Sequence, residues 1–205
     1  MLDLILDTST DPCFVLLCEE KGLISSRFFP DKHNLSSSLV PTIEELLKPI
    51  PNKVDRIFVG IGPGSYTGVR VAVSVANSLS LSWNIPLYPF CSLLAFIPPS
   101  IPEGSFAYLA PSAFSTAFIL EGNKTKDRIS AQSSHKILEK EPLLPLIETF
   151  SSVISLEPEK TAKLLSLPTT SIVRGSFNSD LLIPYLRELA IKPPSPPNIL
   201  YLHSL

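Results

Sequence analysis

Short apolar runs separated by polar turns open the chain, and this pattern predicts β-strands. The first three runs are LDLIL, CFVLLCEE and LISSRFF. Lys21-Gly22 separates the second run from the third, and this tight-turn signal predicts a hairpin. The segment HNLSSSLVPTIEELLKPI then changes to a helical period, marked by Leu35, Leu39, Ile43, Leu46 and Leu47. Because Pro41 lies inside this period, the helix is predicted to be bent or to have a separate first turn.

The next segments are a strand, a glycine-rich turn and a stretch whose pattern is ambiguous. DRIFVGIG is predicted to be a buried strand that ends at GPGSYTG. In VRVAVSVANSLSLSW, valine alternates as in a strand, but the apolar residues also form a helical stripe. The length of this stretch favours a helix, with Ser65 or Thr67 as its N-cap. IPLYPF then returns to the strand pattern.

Prolines cluster between Ile97 and Gly104, and the character of the sequence changes there. We therefore predict an N-terminal subdomain over residues 1–100 and a smaller C-terminal subdomain over residues 101–205. The second part contains the strand-like runs FAYLA, TAFILE and RISAQS, followed by a weaker alternation of helices and strands. Its last predicted helix, NSDLLIPYLRELAI, carries an internal proline, Pro184.

Composition narrows the classes of function. Charged residues make up 18% of the chain, against about 25% in a typical soluble domain, and the net charge is −2. This charge gives no general attraction for nucleic acid, so any RNA contact is expected to be local or to come from another subunit. Three cysteines without a CxxC pair argue against a disulfide framework or a zinc site. With an acidic N-terminus and no apolar run of about 20 residues, the sequence predicts a soluble cytoplasmic protein that lies in no membrane.

The glycine turn at Gly62, Pro63 and Gly64 has the strand–turn–helix setting of a phosphate-binding loop. A P-loop also needs a lysine, and GPGSYTG contains none. A dinucleotide fingerprint needs a third glycine, where Thr67 stands, and an acid for the ribose, but none follows before Glu103. Both phosphate interpretations fail. A structural packing turn is favoured, because glycine and proline together bend the chain sharply out of a strand.

A second candidate turn, Asp7, Thr8, Ser9 and Thr10, follows the first predicted strand. In kinase-like ATPases such a turn contacts phosphate, but the same residues also form ordinary turns with side chains bonded to backbone. A phosphate site would need a second acidic loop beside a glycine pair, which this sequence lacks. The three histidines form no HxxxH or HExxH pair that would predict a metal site. A vestigial phosphate turn is favoured, and nucleotide binding stays open as the alternative.

Several segments together resemble the TsaB family, also called YeaZ, of bacterial subunits that make threonylcarbamoyladenosine on tRNA. They are ILDTST, HNLSSSLVPTIEELL, IFVGIGPGSYTGVRVAVSVANSLSL and IPLYPFCSL. The order strand, GxGPGS[FY]TGxR, helix is close to a signature of that family. In the second part the resemblance weakens, since LAPSAFSTAF stands where the family usually has Asp-Ala-Arg followed by Glu-Val-Tyr.

The resemblance implies an α/β fold of the actin/Hsp70-like ATPase (ribonuclease H-like) class, with two related subdomains, the second reduced. It also implies that this subunit is not the catalyst, because the larger homologue TsaD holds metal and nucleotide and transfers the threonylcarbamoyl group. In this family two N-terminal helices pair with TsaD, and a TsaE ATPase docks on the assembled pair. The same helices could instead form a twofold homodimer.

We therefore expect a non-catalytic scaffold subunit that holds no cofactor and reaches tRNA only through the complex. The alternative is a small kinase-like ATPase that binds nucleotide through the DTST and GPGSYTG turns. Small residues of the second helix are predicted to let a partner helix approach closely. A Gly68→Trp change is expected to disrupt the pairing and leave the fold intact. The predicted partner-interface residues are His33, Leu35, Leu39, Pro41, Ser65, Tyr66, Thr67, Gly68, Arg70, Ala72 and Ala76.

Overall fold

The computed structural model describes residues 1–29, 34–51, 53–112, 115–131 and 136–192. These residues fold into two compact units. Unit 1 comprises Met1–Ser92 together with residues 186–192, and unit 2 comprises Leu93–Tyr185. The first division thus falls between Ser92 and Leu93, ahead of the proline cluster at which composition changes, and the chain returns to unit 1 near its end.

Unit 1 contains a mixed five-stranded sheet. Its strands are β1 (Asp3–Asp7), β2 (Cys13–Glu19), β3 (Gly22–Phe29), β4 (Arg56–Gly60) and β5 (Leu87–Phe90). The spatial order is β3–β2–β1–β4–β5. β1, β2 and β3 pair in antiparallel fashion, whereas β4 and β5 add in parallel to β1. The predicted hairpin at Lys21-Gly22 is therefore confirmed as the β2–β3 connection.

Two helices pack on this sheet and share one apolar core with it. α1 (Leu35–Leu47) is one continuous helix through Pro41, so it has no separate first turn. α2 (Tyr66–Trp83) is a helix, as its length predicted, and Ser65 caps it by accepting a hydrogen bond from the Gly68 N–H. The helical stripe is the buried side of α2, whereas Val71 and Val75, which belong to the strand-like alternation, are only half-buried.

Unit 2 contains a six-stranded sheet and the remaining helices. Its strands are β6 (Gly104–Pro111), β7 (Thr116–Lys124), β8 (Ile129–Ala131), β9 (Lys136–Glu139), β10 (Ser152–Ser155) and β11 (Val173–Arg174). The helices are α3 (Lys140–Ile147), α4 (Pro158–Leu165) and α5 (Ser179–Leu189). α5 is continuous through Pro184, and its residues from Leu186 onward are counted in unit 1. None of the helices in the described residues is both long enough and apolar enough to cross a membrane.

The two sheets have the same topology. In unit 2 the order is β8–β7–β6–β10–β11, with β9 also paired to β7, and it matches β3–β2–β1–β4–β5 strand for strand. β6 and β7 are antiparallel, and β10 and β11 add in parallel to β6. Helices enter at equivalent points, with α1 and α3 before the fourth strand and α2 and α4 after it. This repetition is the arrangement expected of two related subdomains.

Candidate functional site

The DTST turn, Asp7–Thr10, begins at the last residue of β1 and is buried along its whole length. Ser9 donates two hydrogen bonds to Asp7 Oδ1, one from its backbone N–H and one from Oγ, both at 2.7 Å. Thr10 Oγ1 donates to the Pro12 carbonyl at 3.2 Å. These are the local bonds by which Asp, Ser and Thr side chains stabilise a tight turn. The side chains of Asp7, Ser9 and Thr10 therefore form hydrogen bonds within the turn and to Pro12 just beyond it.

The glycine turn after β4 packs directly on the DTST turn. Its Ser65 N–H donates to the Ser9 carbonyl at 2.8 Å. Its Gly62 N–H donates to Ser92 Oγ at 2.9 Å, and Ser92 Oγ lies 3.0 Å from Ser9 Oγ. An anion cradle depends on N–H groups that have no protein acceptor. Because Gly62 and Ser65 already donate within the chain, these two N–H groups are not available to a phosphate.

Gly64 and Gly68 lie where the two turns come closest. A β-carbon built on Gly64 would overlap the carbonyl oxygen of Ser9, and one built on Gly68 would overlap that of Thr8. Thr8 Oγ1 also donates to the Gly68 carbonyl at 2.5 Å. The absence of side chains at these two positions thus makes room for the backbone of the DTST turn. The space in front of the glycine turn is occupied by the chain itself.

Asp7 is the one acidic group at the centre of this contact. It is completely buried, and its Oδ2 has no hydrogen-bond partner among the described residues. Burial raises the pKa of Asp7 above its ordinary value, and the nearby donor groups of Ser92, Ser9 and Thr10 oppose that shift without cancelling it. Within the described residues, no group of three or more His, Cys, Asp or Glu side chains is placed to hold a metal ion.

Some of the predicted partner-interface residues are buried in the core of unit 1. They are Leu35, Leu39, Gly68, Ala72 and Ala76. The interface role of these five stays a prediction, and their burial leaves them little or no side-chain surface with which to contact another chain. On α2, the small residues Gly68, Ala72 and Ala76 let the helix approach β1 and β4 of the same chain.

The expectation that Gly68→Trp would leave the fold intact is wrong, because Gly68 is buried. The first carbon of any side chain at Gly68 would already overlap the Thr8 backbone. Backbone cannot rotate out of the way as a flexible side chain can, so the indole would displace α2 or the DTST turn. Loss of partner binding by this variant would therefore report damage to unit 1.

The other predicted interface residues are exposed, except that His33 lies outside the described residues. Those on the surface are Pro41, Ser65, Tyr66, Thr67 and Arg70. Tyr66 and Arg70 lie one helical turn apart on α2. Arg70 Nη1 donates to the Tyr66 hydroxyl at 3.1 Å, and the guanidinium carbon lies 5.3 Å from the ring centroid. This contact holds a cation and an aromatic ring together on the outer side of the first turn.

Sequence reasoning missed several residues of the same surface. Val40 on α1 is 39% exposed, and Leu81 near the end of α2 is 83% exposed. Ser74 and Ser78 lie between Leu81 and Arg70 on the exposed side of α2. We call the exposed side of the two helices the outer α1–α2 face, and define it by Val40, Pro41, Tyr66, Arg70, Ser74 and Leu81. The period of the buried stripe could have found these α2 residues, since they occupy its opposite side.

Ser92 was also missed, and no signal in the sequence points to it. Its hydroxyl joins the two turns, but it lies 83 residues from Ser9 along the chain. Only the parallel addition of β5 beside β4 brings Ser92, two residues after β5, next to the glycine turn.

Comparison with known proteins shows which proteins this chain is similar to in sequence. Residues 29–119 match a family model described as "TsaD: tRNA N6-adenosine threonylcarbamoyltransferase". The chain is 35% identical over 96 residues to the tRNA threonylcarbamoyladenosine biosynthesis protein TsaB of Bacillus subtilis, a match that covers 45% of this chain and 42% of that protein. It is 36% identical over 97 residues to TsaB of Haemophilus influenzae, over 45% of this chain and 40% of that one. Over less than half of its length, the chain is thus similar in sequence to TsaB proteins.

Solved structures extend the likeness in fold to both units. YeaZ from Pseudomonas aeruginosa matches with a TM-score of 0.73 at 21% identity, over 93% of this chain and 92% of that one. A second Pseudomonas aeruginosa protein, described as similar to peptidase YEAZ, matches with a TM-score of 0.72 at 19% identity, over 96% and 99% of the two chains. The predicted actin/Hsp70-like fold class is confirmed.

The sequence likeness to TsaB proteins is confined to part of the chain. The matches to the Bacillus subtilis and Haemophilus influenzae proteins span less than half the length of either relative. The segment matched by the family model contains α1, β4, the glycine turn and α2, and it ends in β7. The segment matched by the TsaD family model therefore contains the glycine turn and the outer α1–α2 face, whereas the DTST turn lies ahead of it.

Proposed function

We propose that this chain is a non-catalytic subunit of the machinery that makes threonylcarbamoyladenosine on tRNA. It acts in the cytoplasm by pairing with a TsaD-like catalytic subunit through the outer α1–α2 face. A TsaE-like ATPase docks on the pair, and tRNA is reached only through the complex. In the absence of the catalytic subunit, the same face can pair two copies of the chain.

The closed glycine turn is the observation that carries the non-catalytic part of this proposal. An ATPase of this fold needs two backbone turns that open toward phosphate. Here the Gly62 and Ser65 N–H groups donate to Ser92 and Ser9, and the glycines admit the DTST backbone in place of a ligand. The loop is thereby converted into a rigid support for the first turn of α2.

The outer α1–α2 face supports the pairing part of the proposal. Leu81 and Tyr66 are large apolar side chains that are 83% and 53% exposed, and Val40 adds to them from α1. Between Tyr66 and Leu81 the exposed residues are small or polar, so another helix can approach that stretch closely. Aromatic and arginine side chains such as Tyr66 and Arg70 are frequent energetic centres of protein interfaces.

Transfer of the threonylcarbamoyl group to tRNA tests the catalytic assignment. The assay uses this chain alone, a TsaD protein alone, and the two together, with tRNA and the activated threonylcarbamoyl donor. We expect product only when TsaD is present, and more of it when this chain is added. Product formed by this chain alone would end the scaffold assignment.

A pair of matched variants tests the interface. Leu81 and Ile191 are both 83% exposed, but Ile191 lies beyond α5 and outside the outer α1–α2 face. We expect Leu81→Arg to weaken binding to TsaD by roughly tenfold or more, because it puts a charge into an apolar contact. Ile191→Arg should bind as the wild type does. Equal binding by the two variants would refute this choice of surface.

The alternative, a small kinase-like ATPase, makes a different prediction. It requires saturable binding of magnesium-ATP to the isolated chain through the DTST and GPGSYTG turns. Isothermal titration calorimetry with the chain alone distinguishes the two functions. We expect no saturable heat, whereas saturable micromolar binding of magnesium-ATP would favour the ATPase.

A further inference from the structure

We propose that Asp7 is a neutral carboxylic acid in the folded chain and acts as a pH-sensitive latch between the DTST turn and the glycine turn. Its ionisation would loosen the contact that holds the first turn of α2. The inference concerns unit 1 itself and does not depend on the proposed pairing with TsaD.

The two carboxyl oxygens of Asp7 lie in very different surroundings. Oδ1 accepts two hydrogen bonds from Ser9, each 2.7 Å long. Oδ2 is buried, accepts no hydrogen bond from the described residues, and lies so close to Gly60 that a β-carbon there would overlap it. A carboxylate spreads its charge over both oxygens and needs donors at each. In Asp7, Oδ1 has two donors and Oδ2 has none among the described residues. This arrangement suits a protonated carboxylic acid whose proton is on Oδ2.

Among the described residues of unit 1, no counter-charge compensates Asp7. The strands beside it present Phe14 from β2 and Gly60 from β4. The described ionisable side chains on β1, β2, β4, α2 and the turns next to Asp7 are Asp3 with its partner Arg56, Asp11, Cys13, Cys18, Glu19, Tyr66, Arg70 and Cys91. None of these shifts the pKa of Asp7, which is raised by burial and lowered only by hydrogen bonds. A buried carboxylate without a cation is costly, and taking up a proton avoids that cost.

The latch couples directly to the start of α2. Ser9, which binds Asp7 Oδ1, also accepts the Ser65 N–H, and the neighbouring Thr8 hydroxyl binds the Gly68 carbonyl. An ionised Asp7 would draw water or donors to Oδ2. The site has no room for either unless the two turns separate, and separation would break the bonds of Ser65 and Gly68 together.

The sign of the pH effect follows from linkage. The pKa of Asp7 is raised from an ordinary value of 3.8, so the closed state binds this proton more tightly than the open state does. The latch is therefore fully stable below that ordinary value and loses stability as the pH rises toward the raised value. Within this window the equilibrium constant for opening increases tenfold per pH unit, and above it the constant becomes level.

Two measurements on the full chain test the latch. The first is carbon-13 NMR of the aspartate carboxyl groups, which reports the ionisation of Asp7 in the wild-type protein without any substitution. The second is hydrogen exchange of the Gly62, Ser65 and Gly68 amides as the pH is raised from the ordinary Asp7 pKa of 3.8, corrected for intrinsic exchange. It compares the wild type with Asp7→Asn, which keeps the Oδ1 acceptor and cannot ionise. Asp11→Asn, an exposed change directly after the DTST turn, is the control.

We expect the Asp7 carboxyl to ionise well above its ordinary range. Protection of the three amides should fall with rising pH in the wild type and in Asp11→Asn, and should be independent of pH in Asp7→Asn. Ionisation of Asp7 in the ordinary range for a carboxyl would overturn the proposal. Amide protection that is flat with pH in the wild type, or falls equally in Asp7→Asn, would do the same. If Asp7→Asn fails to fold, the carboxyl titration and the wild-type exchange profile still decide.

Discussion

Replacement of Gly68 by alanine measures how tightly the glycine turn is closed on the DTST turn. The substitution adds a single carbon on the buried side of α2, where it would overlap the Thr8 carbonyl oxygen. Two effects oppose each other. Alanine favours a helix over glycine by about 1 kcal/mol at most, whereas overpacking of a filled site costs about 1 to 3 kcal/mol.

The structure decides which effect is larger at Gly68. The overlapping atom belongs to backbone, and the Thr8 hydroxyl also binds the Gly68 carbonyl, so neither side can move independently. The overpacking cost should therefore lie near the upper end of its range. The net loss in the free energy of unfolding is expected to be roughly 2 kcal/mol, the difference between about 3 and about 1.

Urea unfolding gives the measurement, followed by the fluorescence of Trp83, the one tryptophan of the chain. Ser78→Ala is the control, because it changes an exposed position of the same helix and should alter the free energy of unfolding by less than about 0.5 kcal/mol. A Gly68→Ala protein as stable as the wild type would refute the close contact between the two turns. Such a result would also return Gly68 to the candidates for an intermolecular contact.

Further predictions concern an ion pair and a thiol of unit 1. Arg56 binds both carboxylate oxygens of Asp3, at 2.7 and 2.9 Å, so Arg56→Met should lower the free energy of unfolding by roughly 3 kcal/mol by leaving a buried charge alone. Arg174→Met removes an exposed pair with Glu159 and should leave the urea midpoint unchanged; equal midpoint shifts in the two variants would contradict this reasoning. Burial, then the charge of Asp3, raise the pKa of Cys18 to about 12. Peptide mass spectrometry should show Cys18 in native protein alkylated at least roughly a hundredfold more slowly than in urea, and comparable rates would be inconsistent with a buried thiol.

Local patterns in the sequence predicted the elements of unit 1 well. The apolar runs became β1 to β5, the Lys21-Gly22 turn became the β2–β3 connection, and the ambiguous valine-rich stretch became α2. These outcomes depend on the spacing of apolar residues and on turn chemistry, which act over a few residues. A sequence pattern is sufficient to predict them.

The identity of contacting partners could not be predicted in the same way. Small residues on α2 show that something lies close to the helix, but their pattern does not say whether that neighbour is the chain's own backbone or another protein. Gly68 meets Thr8, which is 60 residues away, and Ser92 joins the turns from 83 residues away. Such contacts arise from the parallel order of β1, β4 and β5. The division into units could not be predicted fully either, because no change in composition marks the point near residue 186 where the chain returns to unit 1.

The repeated topology supplies a second argument that closed turns are a property of this chain. In open α/β sheets, ligands bind beyond the carboxyl ends of parallel strands, and in unit 1 that edge is sealed by the hydroxyls of Ser9 and Ser92. The equivalent edge of unit 2 follows β10, where Ser155 is completely buried. Its Oγ accepts hydrogen bonds from Thr161 Oγ1 at 2.8 Å and from the Glu157 N–H at 3.1 Å. Both units thus fill the corner after the fourth strand with their own hydroxyl groups. Because the chain closes this corner in both units, the side chains that can contact a partner lie on its outer surfaces. This supports the proposed scaffold, which acts through the outer α1–α2 face, over the ATPase alternative.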